Sequence, residues 1–360
     1  METGVLISLF LFLGLIIVGM PLGWVFVAST AAGLFLIDTP LSFMAGTFFH
    51  SLFTPVVMAI GFFVFAGGLI SEAGLADRIV RFSYALVGKA KGGLIVVGIV
   101  ATLFMSALTG SSVPCISALI PLLVPRLEKY GYQKRYTTAV LCSSSFLGYL
   151  IPPSVPALIY CLVAQQSVAA LFLATVYPGL LLAIGYCVLN YFIVDKYTFP
   201  SAEKPVLPDN FKDSMKELGA ATWSALPALG CPLIILVGIY GGICTPNEAG
   251  AIAVIYCMIV GFFIYRDLKM SNFSKAMVNT CVTLGMIALL LGGGTVLTRF
   301  LTREGVAQAL AAGMLGLFHS KFMILISINL FLLLLGMFLD GIPILILAVP
   351  LILPLANELG

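Results

Sequence analysis

Charged side chains are scarce in this chain. Only 9% of its 360 residues are Asp, Glu, Lys or Arg, whereas 61% are hydrophobic. Soluble proteins carry about 25% charged residues, and a fold in water could not bury this much apolar surface. The composition therefore excludes an ordinary soluble protein and indicates a chain that crosses a lipid bilayer many times. The net charge of +3 is small and divides among short loops, so no basic face suggests nucleic-acid binding.

The residue types that build most metal and catalytic sites are rare or scattered. His50 and His319 are isolated, and none of the eight cysteines forms a Cys-x-x-Cys pair. These patterns exclude the usual zinc motifs, and the cysteines are interpreted as small hydrophobic residues. Ser, His and Asp are not grouped as in a nucleophilic triad, and no helix carries a pair of acids. The chain is therefore predicted not to be an enzyme and to hold no organic cofactor.

A pattern of proline and glycine occurs twice in apolar sequence, 229 residues apart. The copies are Pro114, Pro121, Pro125 and Gly131, and Pro343, Pro350, Pro354 and Gly360. Weaker matches pair Pro21 with Pro246 and Gly74 with Gly305. Interrupted hydrophobic segments at matching places in two halves are typical of secondary transporters with a binding site near the bilayer midplane.

The apolar runs predict helices at residues 5–19, 22–37, 48–70, 94–109, 114–124, 137–163, 169–194, 224–240, 249–265, 277–296, 322–339 and 343–355. We therefore predict an all-α polytopic membrane protein built from two inverted repeats, each with a re-entrant hairpin and a broken helix. The first repeat is 1–194, with its hairpin at 94–125 and its broken helix at 137–163. A cytoplasmic linker, 195–223, carries a short surface helix at 211–221. The second repeat is 224–360, with its hairpin at 322–355.

The distribution of basic residues predicts the topology. Both flanks of the 94–125 segment are basic, with Arg78, Arg81, Lys89 and Lys91 before it and Arg126, Lys129, Lys134 and Arg135 after it. The positive-inside rule places both flanks in the cytoplasm, so the segment enters and leaves on one side. The hairpin at 322–355 is then predicted to enter from outside, and residue 1 to lie outside.

The candidate site lies where the backbone is interrupted, because unpaired backbone at membrane depth survives only under protein or a watery cavity. The hairpin tip offers hydroxyl and carbonyl oxygens, which hard cations such as Na⁺ prefer. The double proline must unwind the helix and is predicted to leave the carbonyls of residues 148–151 unpaired. A tight turn and a simple kink are the alternatives. The candidate residues are Gly110, Ser111, Ser112, Gly148, Leu150, Ile151, Pro152, Pro153 and Ser154.

One Na⁺ site is predicted from Ser111, Ser112 and the carbonyls around Leu150 and Ile151. Asp340, at the second hairpin tip, is the sole acid between residues 322 and 355, and an ionisable residue at bilayer depth indicates function; it could also cap the following helix. Glu248 is expected to cap a helix together with Thr245. The glycines at 292–294 are interpreted as close helix packing or a hinge.

Five stretches resemble the large membrane subunit of tripartite ATP-independent periplasmic (TRAP) transporters, the DctM-like family. They are Gly110-Ser111-Ser112, the run from Leu147 to Pro156 with its Ile-Pro-Pro-Ser, Tyr177-Pro178-Gly179-Leu180-Leu181, the Gly-Gly-Ile-Cys-Thr-Pro-Asn-Glu-Ala run from Gly241, and Gly336-Met337-Phe338-Leu339-Asp340. The resemblance implies a Na⁺-driven, elevator-type importer of small organic acids in the bacterial inner membrane. It also implies a small four-helix membrane subunit and a periplasmic binding protein as partners, and a place for Asp340 and Gly341 in the site.

The chain departs from the family pattern in two places. Pro114-Cys115 replaces the small, alanine-rich sequence usual after the first tip. A second double-proline motif is absent up to Gly360, so the second repeat is expected to be incomplete at its C-terminal end. Two other functions remain open: a single-component sodium/anion symporter of related fold, and a truncated membrane protein that does not transport.

Overall fold

The computed structural model describes residues 3–73, 75–88, 92–199, 211–317 and 320–359, and within these ranges the chain is almost entirely helical. Some residues named above lie outside these ranges: Gly74, Lys89, Lys91, His319, linker residues 200–210 and Gly360. The α-helices, numbered along the chain, are α1 (Thr3–Ile17), α2 (Leu22–Leu36), α3 (Ser42–Leu52), α4 (Pro55–Glu72), α5 (Leu75–Val87), α6 (Gly93–Thr109), α7 (Ser112–Lys129), α8 (Lys134–Ser144), α9 (Leu147–Leu150), α10 (Val155–Ala164), α11 (Val168–Ile193), α12 (Phe211–Tyr240), α13 (Pro246–Ile259), α14 (Met270–Arg303), α15 (Val306–Leu317), α16 (Lys321–Gly336) and α17 (Gly341–Leu359). A 3₁₀ turn (Val194–Tyr197) extends α11, and a π-helical turn (Val260–Ile264) extends α13.

Five helices of the described chain are long and apolar enough to cross a membrane. They are Pro55–Glu72, Val168–Tyr197, Met215–Tyr240, Pro246–Ile264 and Met270–Arg303. The pair Lys134–Leu150 and Val155–Ala164, bent by 44°, makes a sixth span if the two parts cross together. Many large apolar side chains are exposed, including Ile17 at 85% and Phe338 at 78%. Such surface is stable in lipid and not in water, so the predicted all-α membrane fold is confirmed.

One predicted helix, 48–70, is wrong, because two helices occupy that stretch. α3 ends at Leu52 and α4 begins at Pro55. Proline disfavours helical backbone in the residue before it and is well placed in the first turn of a helix. The break therefore follows from Pro55, although the hydrophobic run continues through it.

The surface helix predicted at 211–221 is also not a separate element. It is continuous with the next membrane helix in α12, which runs from Phe211 to Tyr240. The apolar runs do not predict two further helices, α5 and α15. α5 has a polar face, whereas α15 is almost entirely apolar. Both are short, and α5 carries Asp77, Arg78 and Arg81.

The packing divides the chain into two compact units. We call residues Met1–Val57, Ile159–Gln166 and Val282–Gly360 the terminal unit, and Met58–Leu158 with Ser167–Cys281 the central unit. These units describe contacts within the fold, and the division into repeats at 195–223 stays a prediction.

The core of the terminal unit joins α2 to α14. Phe12 stacks on Phe26 with ring centroids 5.6 Å apart, and Phe26 is clustered with Leu297 and Phe300. The glycines at 292–294 let helices approach closely, in agreement with their interpretation as close-packing residues. A Cβ on Gly293 would lie 3.0 Å from the carbonyl oxygen of Gly23.

In the central unit, the backbone of α12 is hydrogen-bonded by Tyr265, which follows the π-helical turn after α13. The Tyr265 hydroxyl donates to the carbonyl of Ser224 (2.7 Å) and accepts from the N–H of Ala228 (3.1 Å). It thus bridges two backbone groups of α12 that lie one turn apart. The Arg78 guanidinium lies 3.9 Å from the centre of the Tyr265 ring and forms a 2.7 Å ion pair with Asp267. These contacts tie α5 to the loop between α13 and α14.

Candidate functional site

The two arms of the first hairpin, α6 and α7, begin and end on the same side of the central unit. Where α6 begins, the side-chain amide of Asn190 donates to the carbonyl of Gly92 (3.4 Å). Beyond the end of α7, the N–H of Phe199 donates to the carbonyl of Gly131 (2.8 Å), and the N–H of Gln133 donates to that of Tyr197 (3.0 Å). Both ends of the hairpin are therefore tied to the segment that ends α11. This geometry is that of a helical hairpin that enters and leaves at one end.

The tip of the hairpin turns at Gly110. Its φ of 63° and ψ of 15° are left-handed, a conformation that glycine adopts without steric cost. Its carbonyl accepts from the N–H of Val155, the first residue of α10, at 3.0 Å. A Cβ at Gly110 would lie 2.5 Å from the carbonyl oxygen of Pro153. The turn therefore needs glycine both for its backbone angles and for its approach to the broken helix.

The crossing helix breaks at the double proline, between α9 and α10. Ile151 is extended (φ −81°, ψ 120°), and the Pro152–Pro153 peptide bond is cis. Neither proline has an N–H, so the carbonyls of Gly148 and Tyr149 lose their helical donors. The helical donor of the Ile151 carbonyl, the N–H of Val155, is bound to Gly110 instead. The predicted unwinding is thus present in the structure.

The prediction that all the carbonyls of 148–151 are unpaired is wrong for Tyr149. Ser154, fully buried, donates its hydroxyl to the Tyr149 carbonyl at 2.8 Å. The Ser154 hydroxyl also accepts from the N–H of Ala157 at 3.4 Å, in the first turn of α10. Ser154 therefore stabilises the break and caps α10, and its oxygen is engaged by the backbone.

The hairpin tip and the broken helix are in backbone contact. A Cβ on Gly148 would lie 2.8 Å from the carbonyl carbon of Ser111, 2.9 Å from its oxygen and 3.0 Å from the nitrogen of Ser112. Ser111 and Ser112 are half-buried, and Ser111 makes no capping hydrogen bond with its side chain. The side chains of Leu150 and Ile151 contact Gly179 of α11.

Three residues at the tip were not identified from the sequence. Thr109, buried, donates its hydroxyl toward the carbonyls of Met105 (2.9 Å) and Ser111 (3.1 Å). Cys115 donates to the same Ser111 carbonyl at 3.3 Å. A Cβ on Gly67 of α4 would lie 2.9 Å from the Thr109 carbonyl oxygen. No sequence signal distinguished these small residues from others in apolar helices, although Cys115 stood at a departure from the family pattern.

Asp340 and Gly341 belong to the terminal unit and are described there by themselves. Gly341 is the first residue of α17, and the Asp340 carbonyl accepts from the N–H of Ile344 at 3.3 Å. Asp340 therefore occupies the N-terminal cap position, where the helix dipole stabilises a carboxylate. Asp340 is exposed, whereas Ser111 and Ser112 are half-buried. The second tip is thus the more exposed of the two.

The expected role of Glu248 as a helix cap is confirmed. Thr245 and Glu248 form a capping box at the start of α13, in which the Glu248 carboxylate accepts from the N–H of Thr245 at 2.7 Å. Among the described residues, no three His, Cys, Asp or Glu side chains come together as a metal-binding group.

A hairpin whose tip rests on a broken membrane helix defines the chain as a membrane protein of the secondary-transporter class. Residues 9–360 match the family described as the tripartite ATP-independent periplasmic transporter, DctM component. The chain belongs to this family, whose curated members are permease subunits and not enzymes.

Several curated relatives are similar over most of the chain. The sialic acid TRAP transporter large permease protein SiaM of Vibrio cholerae is 34% identical over 98% of this chain and 81% of its own length. The C4-dicarboxylate large permease protein DctM of Pseudomonas aeruginosa is 32% identical over 84% of this chain and 69% of its own. The isethionate permease protein DctMQ of Oleidesulfovibrio alaskensis is 32% identical over 89% of this chain and 49% of its own.

Proposed function

We propose that the chain is the permease subunit of a Na⁺-coupled importer of small organic acids in the bacterial inner membrane. Its partners would be a small membrane subunit of about four helices and a periplasmic binding protein that delivers the substrate. Membership of a tripartite transporter family supports the partners, and the sialic acid and C4-dicarboxylate permeases among its relatives support the substrate class.

The observation that carries the proposal is the backbone contact between the hairpin tip and the broken helix. At this contact, Ser111 and Ser112 lie against Gly148, and two backbone carbonyls of the break, those of Gly148 and Ile151, have lost their helical donors. Oxygens of this kind replace the hydration shell of a hard cation. We therefore assign one Na⁺ site to the hydroxyls of Ser111 and Ser112 and the carbonyls around Leu150 and Ile151.

Helix polarity at the same place suits an anionic substrate. α7 begins at Ser112 and α10 at Val155, and the hydrogen bond from Val155 to Gly110 holds the two beginnings together. The amino-terminal ends of helices carry partial positive charge, so both helices favour a carboxylate near the tip. Bound Na⁺ would add to this field, which couples ion binding to substrate binding.

The order of elements supports the inverted repeat. A membrane helix, a short helix of 12 or 13 residues and a helical hairpin follow one another as α4, α5 and α6–α7, and again as α14, α15 and α16–α17. We propose that Asp340 and Gly341 serve at the second tip as Ser111 and Ser112 serve at the first, in a transporter that works by an elevator motion.

The Na⁺ site is tested by binding, because binding needs neither partner nor substrate. The purified chain is unfolded thermally in NaCl or KCl at equal ionic strength. We expect Na⁺ to raise the melting temperature, since a ligand that binds only the folded state stabilises it. The double variant Ser111→Ala, Ser112→Ala should need about tenfold more Na⁺ for half of the rise in melting temperature. Each hydroxyl is expected to supply one oxygen ligand to the bound ion.

The matched control is Ser117→Ala. Ser117 is on the same helix but is exposed, and its hydroxyl donates to the Val113 carbonyl of its own helix (2.9 Å). An unchanged Na⁺ dependence in the double variant, with the wild-type melting temperature in KCl, would contradict the site. Uptake of sialic acid or a C4-dicarboxylate into proteoliposomes with both partners tests transport separately. Equal uptake with and without the binding protein would favour the single-component symporter. No uptake even with both partners would favour the non-transporting alternative.

A further inference from the structure

A groove with an apolar lining runs along the outside of the first hairpin arm. Its volume is about 590 Å³, and it lies between residues 96–103 of α6 and residues 180–192 of α11 in the central unit. Among the five candidate spans of the described chain, the one containing α11 is the least buried, at 17% of its apolar window. The back of the hairpin arm is therefore reached from the membrane through this groove.

The length of the groove fits one lipid chain. Residues 180–192 extend over about 18 Å at the helical rise of 1.5 Å per residue. This length is close to one leaflet, about half of the ~30 Å hydrocarbon core, whereas a transmembrane helix would need all of it.

One end of the groove, at Tyr191 and Phe192, is basic. Next to it, the Tyr136 hydroxyl donates to the Asn190 side chain at 2.8 Å, and the Tyr136 ring stacks on Tyr197 at 4.8 Å. These contacts bring the start of α8 and the end of α11 together. The exposed charged residues carried there are the cations Lys134, Arg135 and Lys196 and the anion Asp195.

We propose that this groove binds an acyl chain of an anionic phospholipid, with the phosphate near Lys134, Arg135 and Lys196. Aromatic side chains at the same level, including Tyr191, match the interfacial position of a glycerol backbone. Cations near the membrane surface attract anionic lipid. The bound chain would fill the space behind α6, on a different side from Gly98, which packs against Leu141 of α8.

The site is tested by native mass spectrometry of the full chain after equilibration with mixed phosphatidylglycerol and phosphatidylcholine vesicles. We expect one retained phosphatidylglycerol per wild-type chain. Cys187→Trp puts a large ring into the groove and should reduce retention about tenfold, as should Val100→Trp from the α6 wall. Leu189→Trp is the control, because Leu189 is exposed and lies about 140° around α11 from Ile184.

The charged end is tested in the same experiment. Arg135→Gln with Lys196→Gln should lower the preference for phosphatidylglycerol over phosphatidylcholine about fivefold for each charge removed. Equal lipid retention in the wild type and in both groove-filling variants would overturn the proposal. The small membrane subunit is added to the same preparation as a competitor. If it replaced the lipid on the wild type and failed to bind Cys187→Trp, the proposal would be overturned in favour of a partner helix. An unchanged lipid preference in the charge variant would overturn the assignment of the phosphate.

Discussion

At residue scale, Gly148 sets how closely the hairpin tip approaches the broken helix. Any larger side chain would meet the backbone of Ser111 and Ser112 within 3.0 Å, and backbone cannot rotate away as a flexible side chain can. We expect Gly148→Ala to destabilise the chain by about 1–3 kcal/mol through overpacking and to remove its stabilisation by Na⁺. Thermal unfolding in NaCl and in KCl measures both effects.

Gly185→Ala is the control for this substitution. Gly185 lies in α11, also in the central unit, and a Cβ there meets nothing within 4 Å. The exchange should be neutral or stabilise the helix by up to about 1 kcal/mol. If Gly148→Ala behaved like Gly185→Ala, the contact between tip and break would not constrain the fold.

The sequence predicts part of this site, and the reason is visible residue by residue. Pro152 and Pro153 reveal the break because proline lacks an N–H wherever it stands. Gly110 reveals the turn because it interrupts an apolar run. Thr109 and Gly67 carry no such mark, since small residues are common in membrane helices and only the fold shows which of them meet. Likewise, the sequence does not reveal that the Ser154 hydroxyl points back to Tyr149.

At element scale, a proline inside α17 is compensated from another helix. Pro350 lacks the N–H that would bond the Ile346 carbonyl, and the Thr298 hydroxyl of α14 donates to that carbonyl at 3.2 Å. Thr298→Val keeps the shape of the side chain but leaves the buried Ile346 carbonyl without this donor. We expect a loss of about 1–3 kcal/mol of stability, measured by thermal unfolding of the purified variant.

Thr280→Val is the control for this prediction. Thr280 lies on the same helix and has the same 7% exposure as Thr298, but its hydroxyl donates to Ala276 one turn back. That carbonyl keeps its own helical donor, so the variant should be close to wild type. Equal destabilisation of the two variants would show that loss of a hydroxyl, and not the proline, sets the effect.

The sequence predicts the ends of a helix well where hydrophobicity changes sharply along the chain, and poorly where it does not. α2, α6 and α16 were each predicted to within a few residues, since polar or proline-containing turns border them. The break between α3 and α4 lies inside one apolar run and is marked only by Pro55. α5 was missed because Asp77, Arg78 and Arg81 on its polar face gave the segment the composition of a loop.

For the whole molecule, the contacts at the base of the first hairpin place both of its flanks on one side of the membrane, and their basic residues predict that this side is the cytoplasm. In a background without the eight native cysteines, Arg81→Cys and Lys134→Cys should both be labelled only from inside the cell by an impermeant maleimide. Both positions are exposed, and both lie in the basic flanks of the hairpin. Ile243 lies in the turn between α12 and α13 and is 77% exposed, and Ile243→Cys should be labelled only from outside.

Two results decide this prediction. Labelling of either Arg81→Cys or Lys134→Cys from outside would make the segment between them a full crossing and end the hairpin topology. Labelling of Ile243→Cys from inside would contradict the inverted arrangement of the second half. Preparations of opened cells, in which all three positions react, verify that each thiol is accessible.

The discontinuous composition of the terminal unit has a consequence for its biogenesis. Residues 1–57 form one unit with residues 159–166 and 282–360, so the 224 residues from 58 to 281 must be made before α2 can meet its part of α14. At about 5–20 residues per second this delay is roughly 11–45 s. During that time Phe26 lacks Leu297 and Phe300, while the 58–158 segment of the central unit is already complete. The first three helices therefore reach their final packing only late in synthesis, and nascent chains halted before residue 282 should be cleaved faster by membrane proteases than the full chain.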